Sequence, residues 1–130
     1  MMEQLILHLV GDYITQTDWM AREKTRRGLA AGAHAVVYSL PFLLLSPSAM
    51  AFVVILLTHY LIDRYRLARY VIFAKNWITD QSLRWEWCKN TGYPSAGFPN
   101  EVPPWLAVWL MIIADNTMHL AINYCALRWL

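Results

Sequence analysis

Long runs without charged side chains alternate along this chain with short basic stretches. Residues 28–62 contain no Asp, Glu, Lys or Arg, and residues 102–127 contain a single acid and no base. The first run is long enough for two membrane-spanning helices joined by a turn, which Ser46-Pro47-Ser48 supplies. With a shorter, more polar segment at the N-terminus, the pattern predicts four helices, at about residues 4–21, 29–46, 49–73 and 104–128.

The composition supports a membrane protein. Of the 130 residues, 58% are hydrophobic and 15% are charged, whereas soluble domains average about 45–50% apolar and about 25% charged residues. So short a chain cannot bury this apolar excess in its own core. We therefore expect a single transmembrane domain over residues 1–130, an all-α, integral membrane four-helix bundle. Its connector, residues 74–103, is rich in Trp, Pro and Gly and predicts an interfacial loop.

The basic residues predict the orientation in the membrane. Ten of the eleven Lys and Arg residues lie in two stretches, within residues 22–27 and 64–89. The positive-inside rule predicts that both basic connectors face the cytoplasm, in a multi-pass protein of the bacterial inner membrane. This count does not decide whether segment 4–21 spans the membrane or lies in its interface. Spanning is favoured because it keeps the polar residues of this segment near those of the other helices.

Histidine and aspartate recur at helical spacing inside the apolar segments. Three of the four histidines have an aspartate four residues away, and residues at that spacing share one face of a helix. The pairs are His8 with Asp12, His59 with Asp63, and Asp115 with His119. The fourth histidine, His34, has no acid partner at this spacing.

The His/Asp pairs predict a metal site. A carboxylate at mid-bilayer costs about 2.5–3.5 kcal/mol, and among the cations only Arg64 and Arg66 lie close to one of these aspartates in sequence. A divalent ion would neutralise two carboxylates and take neutral imidazoles as ligands. The predicted ligands are His8, Asp12, His34, His59, Asp63, Asp115 and His119.

Two further roles follow from the same pattern. The predicted catalytic acids are Asp12, Asp63 and Asp115, and the residues predicted to orient the ligands are Gln16, Asn116 and Asn123. Zinc is the first expectation for the metal, with iron or manganese as alternatives. Without a metal, the same residues would form a proton relay or buried hydrogen-bond packing.

Three segments of the chain carry a family resemblance: HLVGDYITQTDWMA at 8–21, THYLIDRY at 58–65, and ADNTMHLAINY at 114–124. They look like the Domain of Unknown Function 3307 family, which consists of small integral membrane proteins of bacteria and phages. The family name implies no assigned activity. More loosely, the His/Asp pattern is similar to predicted membrane-bound metal-dependent hydrolases, as an analogy of ligand types.

These features together predict a membrane-embedded metal-binding protein that is a metal-dependent hydrolase of a lipid-linked or phosphorylated amphiphile. A metal held by His and Asp lowers the pKa of bound water to about 7, and an Asp outside the ligand set would serve as general base. One alternative is a divalent-metal or proton transporter or channel. Another is a phage membrane interaction protein, related to exclusion or lysis, with a structural metal. The expected partners are membrane lipid and a second copy of the chain (a homo-oligomer), and not nucleic acid.

Overall fold

The computed structural model is helical wherever it describes regular structure, and the residues it describes are 2–79, 81–82, 85, 97–98 and 102–130. No strand occurs among them, which confirms the all-α class. The α-helices are α1 (Met2–Leu9), α2 (Asp18–Glu23), α3 (Gly28–Ser39), α4 (Ala49–Tyr65), α5 (Ala68–Thr79) and α6 (Pro104–Trp129). A π-helical segment, Val10–Ile14, follows α1, and a 3-10 segment, Leu40–Leu45, follows α3.

The chain forms two compact units. The first comprises Met1–Tyr65 together with Met118–Leu130, and the second is Arg66–Thr117. All four histidines of the sequence fall in the first unit.

The core of the first unit forms around the C-terminal half of α3 and the 3-10 segment. One buried cluster consists of Tyr38, Phe42, Ala51, Ile55 and Ala126. The N-terminal half of α3 is lined with buried alanines, at Ala30, Ala31 and Ala35. Small side chains let neighbouring helix backbones approach closely, and this brings the polar side chains of the unit within reach of one another.

The helix predicted over residues 4–21 differs from the structure, because the chain leaves the helix at residues 15–17. Before this break the hydrogen-bond pattern widens: the Thr15 amide donates to the Val10 carbonyl, five residues back, at 3.0 Å. After it, the Thr17 hydroxyl accepts from the Met20 amide at 3.3 Å and caps α2. Threonine side chains offer the backbone local hydrogen bonds that compete with a helix, and the apolar pattern gave no sign of this.

The helix predicted over residues 49–73 also divides. It ends as α4 at Tyr65, and Arg66 adopts a left-handed backbone with φ 51° before α5 begins. α5 continues to Thr79, into the range predicted as a connector, while most of residues 74–103 lies outside the described residues.

The other two predicted helices agree with the structure. Residues 29–46 correspond to α3 with its 3-10 segment, and residues 104–128 correspond to α6. Ser46, with φ 48°, ends the 3-10 segment in the left-handed region. The Ser48 hydroxyl accepts from the Ala51 amide at 3.0 Å and caps α4. The predicted Ser46–Ser48 turn is therefore present.

The second unit has a small core of its own. Ile72, Phe98 and Ala107 are buried together, and Met111 packs against them. Gly97 has φ +97°, and a Cβ there would lie 2.8 Å from the Arg69 carbonyl oxygen, so the close approach of this segment to α5 requires glycine.

Two helical segments of the described residues are long and apolar enough to cross a membrane. They are Gly28–Leu45, with a mean hydropathy of 1.6, and Pro104–Trp129, with a mean hydropathy of 1.4. This criterion is one of length and composition, and it covers two of the four predicted spans. Among the described residues, the predicted spans at about 4–21 and 49–73 do not meet it.

Gly11 sits where the π-helical segment meets α3. A Cβ at Gly11 would lie 2.7 Å from Cδ2 of Tyr38 and 2.8 Å from its carbonyl oxygen. Backbone atoms cannot move aside as the end of a flexible side chain can. The absence of a side chain at Gly11 therefore sets how closely Asp12 approaches α3.

We expect Gly11→Ala to destabilise the protein by about 1–3 kcal/mol, as overpacking in a filled core does. Thermal unfolding followed by circular dichroism in detergent measures the effect. The matched control is Gly32→Ala in α3, where an added Cβ meets nothing within 4 Å and helix propensity favours alanine by roughly 0.5–1 kcal/mol. Equal melting temperatures for the two variants would contradict the close contact.

Candidate metal centre

Four buried side chains from three elements meet at one point of the first unit. Asp12 comes from the π-helical segment, His34 from α3, and His59 and Asp63 from α4. One ligand atom of each lies within 4.8 Å of the others. The residues Asp12 and Asp63 are each only 6% exposed, and the two histidines are almost fully buried.

His34 links the two aspartates. Its Nε2 lies 3.1 Å from Asp12 Oδ1 and 3.1 Å from Asp63 Oδ2. Helical spacing predicted no acid partner for His34, because both of its partners lie on other elements. The residue with the weakest sequence signal thus holds the central position.

His59 completes the centre from the other side. Its Nε2 lies 3.2 Å from Asp63 Oδ2, 3.7 Å from Asp12 Oδ1 and 3.0 Å from Nε2 of His34. Two neutral imidazoles that face each other in this way can form at most one N–H···N bond. A cation between them would bind both nitrogen lone pairs, as well as the carboxylate oxygens.

His8 and His119 stand at the edge of the centre. His8 Nε2 lies 3.8 Å from Asp12 Oδ2, and His119 Nε2 lies 3.4 Å from Asp63 Oδ1. The ring centroids of His59 and His119 are 4.3 Å apart. All four histidines of the sequence therefore surround the two carboxylates.

Lys24 is a member of the centre that the sequence did not indicate. Its Nζ lies 2.8 Å from Asp63 Oδ2, 3.2 Å from His34 Nε2 and 4.0 Å from Asp12 Oδ1. Nearness in sequence singled out Arg64 and Arg66, but the cation that contacts both aspartates is Lys24. Lys24 reaches the centre because the break at residues 15–17 and the turn after α2 fold the basic stretch back toward α4. The apolar pattern predicted neither feature.

Tyr38 contacts two of the histidines, His59 and His8. The sequence did not single it out as a site residue either. Its ring stacks on His59, with centroids 3.5 Å apart and planes 11° apart. Its hydroxyl accepts a hydrogen bond from Asn123 Nδ2 at 2.6 Å and lies 2.8 Å from His8 Nδ1. When the hydroxyl donates to His8 Nδ1, the His8 proton is on Nε2, facing Asp12.

The donor set fits a divalent metal. Two imidazole nitrogens and two carboxylates form the mixed nitrogen and oxygen set that zinc and other first-row metals accept. Nδ1 of His34 and of His59 has no hydrogen-bond partner among the residues that the structure describes. These two rings therefore lack the outer hydrogen bond that often orients a metal-ligating histidine, and for His59 the stacked Tyr38 ring supplies the orientation.

The remaining predicted residues have different surroundings. Asn123 is buried and orients Tyr38, so its contact with the centre runs through that hydroxyl. Gln16 is half-buried, and its Oε1 has no hydrogen-bond partner within the described part of the chain. Asp115 and Asn116 belong to the second unit and are half-buried; their roles as ligand and orienting residue stay predictions.

Fold and site together define a class of protein: a small all-helical protein with two candidate membrane-spanning helices and a buried His/Asp centre. The chain belongs to the family described as "Protein of unknown function (DUF3307)", whose family model matches residues 1–86. That range includes Asp12, Lys24, His34, His59 and Asp63. No curated protein and no solved structure matches the chain, so the looser similarity to membrane-bound hydrolases has no support from these comparisons.

We expect Tyr38→Phe to destabilise the protein by about 1–3 kcal/mol, because it leaves the buried Asn123 amide without its acceptor. Thermal unfolding in detergent measures this cost. The double variant Tyr38→Phe with Asn123→Leu removes both partners and should cost clearly less than the sum of the two single changes. Additive costs would mean that the Tyr38–Asn123 hydrogen bond contributes nothing to stability.

Proposed function

We propose that this protein binds a divalent metal inside the membrane and uses it as a hydrolase. The observation that carries the proposal is the convergence of four buried ligand atoms, from Asp12, His34, His59 and Asp63, within 4.8 Å of one another. Among the Lys and Arg side chains of the described residues, Lys24 is the one that lies within 4.0 Å of either carboxylate. A divalent ion is the compensation that this donor set accommodates best.

The distribution of side chains on α4 supports a position in the membrane. The inward face carries Ile55, His59 and Asp63, which are buried, whereas Val53 and Leu57 on the opposite face are 47% and 52% exposed. A soluble helix has the reverse pattern, with an apolar inner stripe and a polar outer face. We propose that lipid covers these exposed apolar side chains, in a four-span bundle of the inner membrane with its basic connectors in the cytoplasm.

The hydrolytic role divides the centre between ligands and a base. Catalytic zinc sites use three protein ligands and leave a position for water, and we assign His34, His59 and Asp63 as these ligands. A divalent metal held by these residues would supply the Lewis acidity that activates water at neutral pH. Asp12, which contacts His34 and stands beside His8, would then accept the proton from that water. A centre at membrane depth favours a lipid-linked or phosphorylated amphiphile as substrate.

Metal content tests the first part of the proposal. We expect elemental analysis of detergent-purified protein to find stoichiometric metal in the parent and at least tenfold less in Asp63→Asn and His34→Ala. The matched control is Asp18→Asn, which makes the same chemical change at a side chain that is 76% exposed and should keep the metal. Folded parent protein that holds no metal and takes up none from added Zn²⁺, Fe²⁺ or Mn²⁺ would contradict the proposal.

Turnover tests the second part. Asp12→Asn should keep its metal and lose roughly 10²–10⁴-fold in metal-dependent hydrolysis of membrane lipid extracts, the usual contribution of a general base. Loss of metal in this variant would contradict the role of Asp12 as base and make it a fourth ligand. Ion flux in proteoliposomes without hydrolysis would favour the transporter instead. The phage-related role and the homo-oligomer stay predictions.

A further inference from the structure

Lys24 is positioned at the edge of the centre rather than sealed inside it. Its side chain is 19% exposed, whereas that of Asp63 is 4% exposed. The turn that carries it is fastened to α4, because Arg64 Nη1 donates to the carbonyl of Thr25, the next residue, at 2.6 Å. The ammonium group is thus held between the buried ligands and the surface of the first unit.

The charges of the centre change sign when a divalent metal enters. Asp12 and Asp63 contribute two negative charges, the metal two positive charges, and neutral histidines none. Lys24 then leaves one positive charge in excess, next to buried ligands and on a side chain that is 19% exposed. An unpaired charge in such surroundings is costly, so the metal-loaded centre calls for a ligand with one negative charge.

We propose that the metal and Lys24 together bind a monoanionic phosphodiester group. This inference rests on the proposed function and narrows its substrate class from phosphorylated or lipid-linked amphiphiles to phosphodiesters. A phosphodiester has one negative charge and two non-bridging oxygens, one for the metal and one for the ammonium group, and lysine binds phosphate as a point charge. A phosphomonoester, with about 1.5–2 negative charges at neutral pH, exceeds the single positive charge available.

The position of Lys24 along the chain agrees with this ligand. It lies in the basic stretch Arg22–Arg27, which the charge pattern predicts at the cytoplasmic membrane surface. Phosphodiester head groups of lipids lie at that level of the bilayer, and basic residues next to a membrane attract them. The ligand would therefore reach the centre from the lipid side with its head group at the depth of the ammonium group.

Cobalt-loaded protein in a phosphorus-free detergent allows a direct test. Co²⁺ accepts nitrogen and oxygen ligands of this kind, and its visible absorption counts the occupied centres independently of phosphate. Its paramagnetism broadens the ³¹P resonance of a phosphate that binds beside it. The probes are dibutyl phosphate, a monoanion, tributyl phosphate, which is neutral, and monobutyl phosphate, which has the higher charge.

We expect the parent to broaden the ³¹P resonance of dibutyl phosphate. Lys24→Gln should bind dibutyl phosphate roughly 10–100-fold more weakly, the usual range for a lost charged hydrogen bond. Lys24→Arg should retain binding. Arg128→Gln removes the same charge from an exposed side chain outside the basic stretches and should leave binding unchanged. Tributyl phosphate should not be broadened.

The two proposals fail in different ways. If the parent takes up no Co²⁺, the proposal of a metal centre is wrong, and so is the phosphodiester inference that rests on it. A parent that binds Co²⁺ but not dibutyl phosphate overturns the phosphodiester alone, as does Lys24→Gln with full cobalt occupancy and unchanged phosphate affinity. Tighter binding of monobutyl phosphate than of dibutyl phosphate would overturn the charge balance. Lys24→Gln protein that cannot be loaded is replaced in the comparison by Lys24→Met, and unaltered phosphate binding there overturns the inference equally.

Discussion

The rest of this structure depends on the burial of two carboxylates that lie close together and share the same polar neighbours. Asp12 and Asp63 are taken out of water by a chain whose other inward side chains are mostly apolar. Burying a charge is costly unless opposite charges and hydrogen-bond donors meet it. Four histidines and one lysine from different parts of the chain converge on these two groups, which ties α1, the turn after α2, α3, α4 and the end of α6 to one point.

The packing of the first unit serves this convergence. A side chain at residue 11 would clash with Tyr38, so glycine is needed there. The buried alanines of α3 let the neighbouring helix backbones approach closely. Tyr38 belongs both to the apolar cluster and to the polar centre, since its ring packs beside Phe42 and its hydroxyl contacts His8 and Asn123. The hydrophobic core and the centre are therefore joined through one side chain, so that a change in either is expected to alter the other.

Sequence reasoning predicted the parts of the centre that depend on helical spacing. The pair His59 and Asp63 lies on one uninterrupted helix, and its atoms are 3.2 Å apart as the spacing of four residues implies. It did not predict His34 as the link between the aspartates, because contacts between different elements leave no periodic signal. Lys24 was missed for the same reason. Its contact with the aspartates depends on the interruption of the helix at residues 15–17, a segment without proline or glycine, and on the turn that follows α2. The predicted third helix is divided at Arg66, which has a left-handed backbone. Arginine seldom adopts that conformation, so the sequence did not indicate the break.

The π-helical segment has a consequence for how the centre assembles. A π turn contains one residue more than an α turn, and each residue of an α-helix rotates the side-chain direction by about 100°. His8 and Asp12, four residues apart across this irregularity, are therefore 3.8 Å apart, and each makes a shorter contact with α3 instead, through Tyr38 and His34. The Asp12 carboxylate thus joins the centre only when the π-helical segment packs against α3. Because Asp12 lies 3.1 Å from the ligand His34, cation binding at the centre is thermodynamically linked to that docking, and the occupancy of the centre and the order of residues 2–14 rise and fall together.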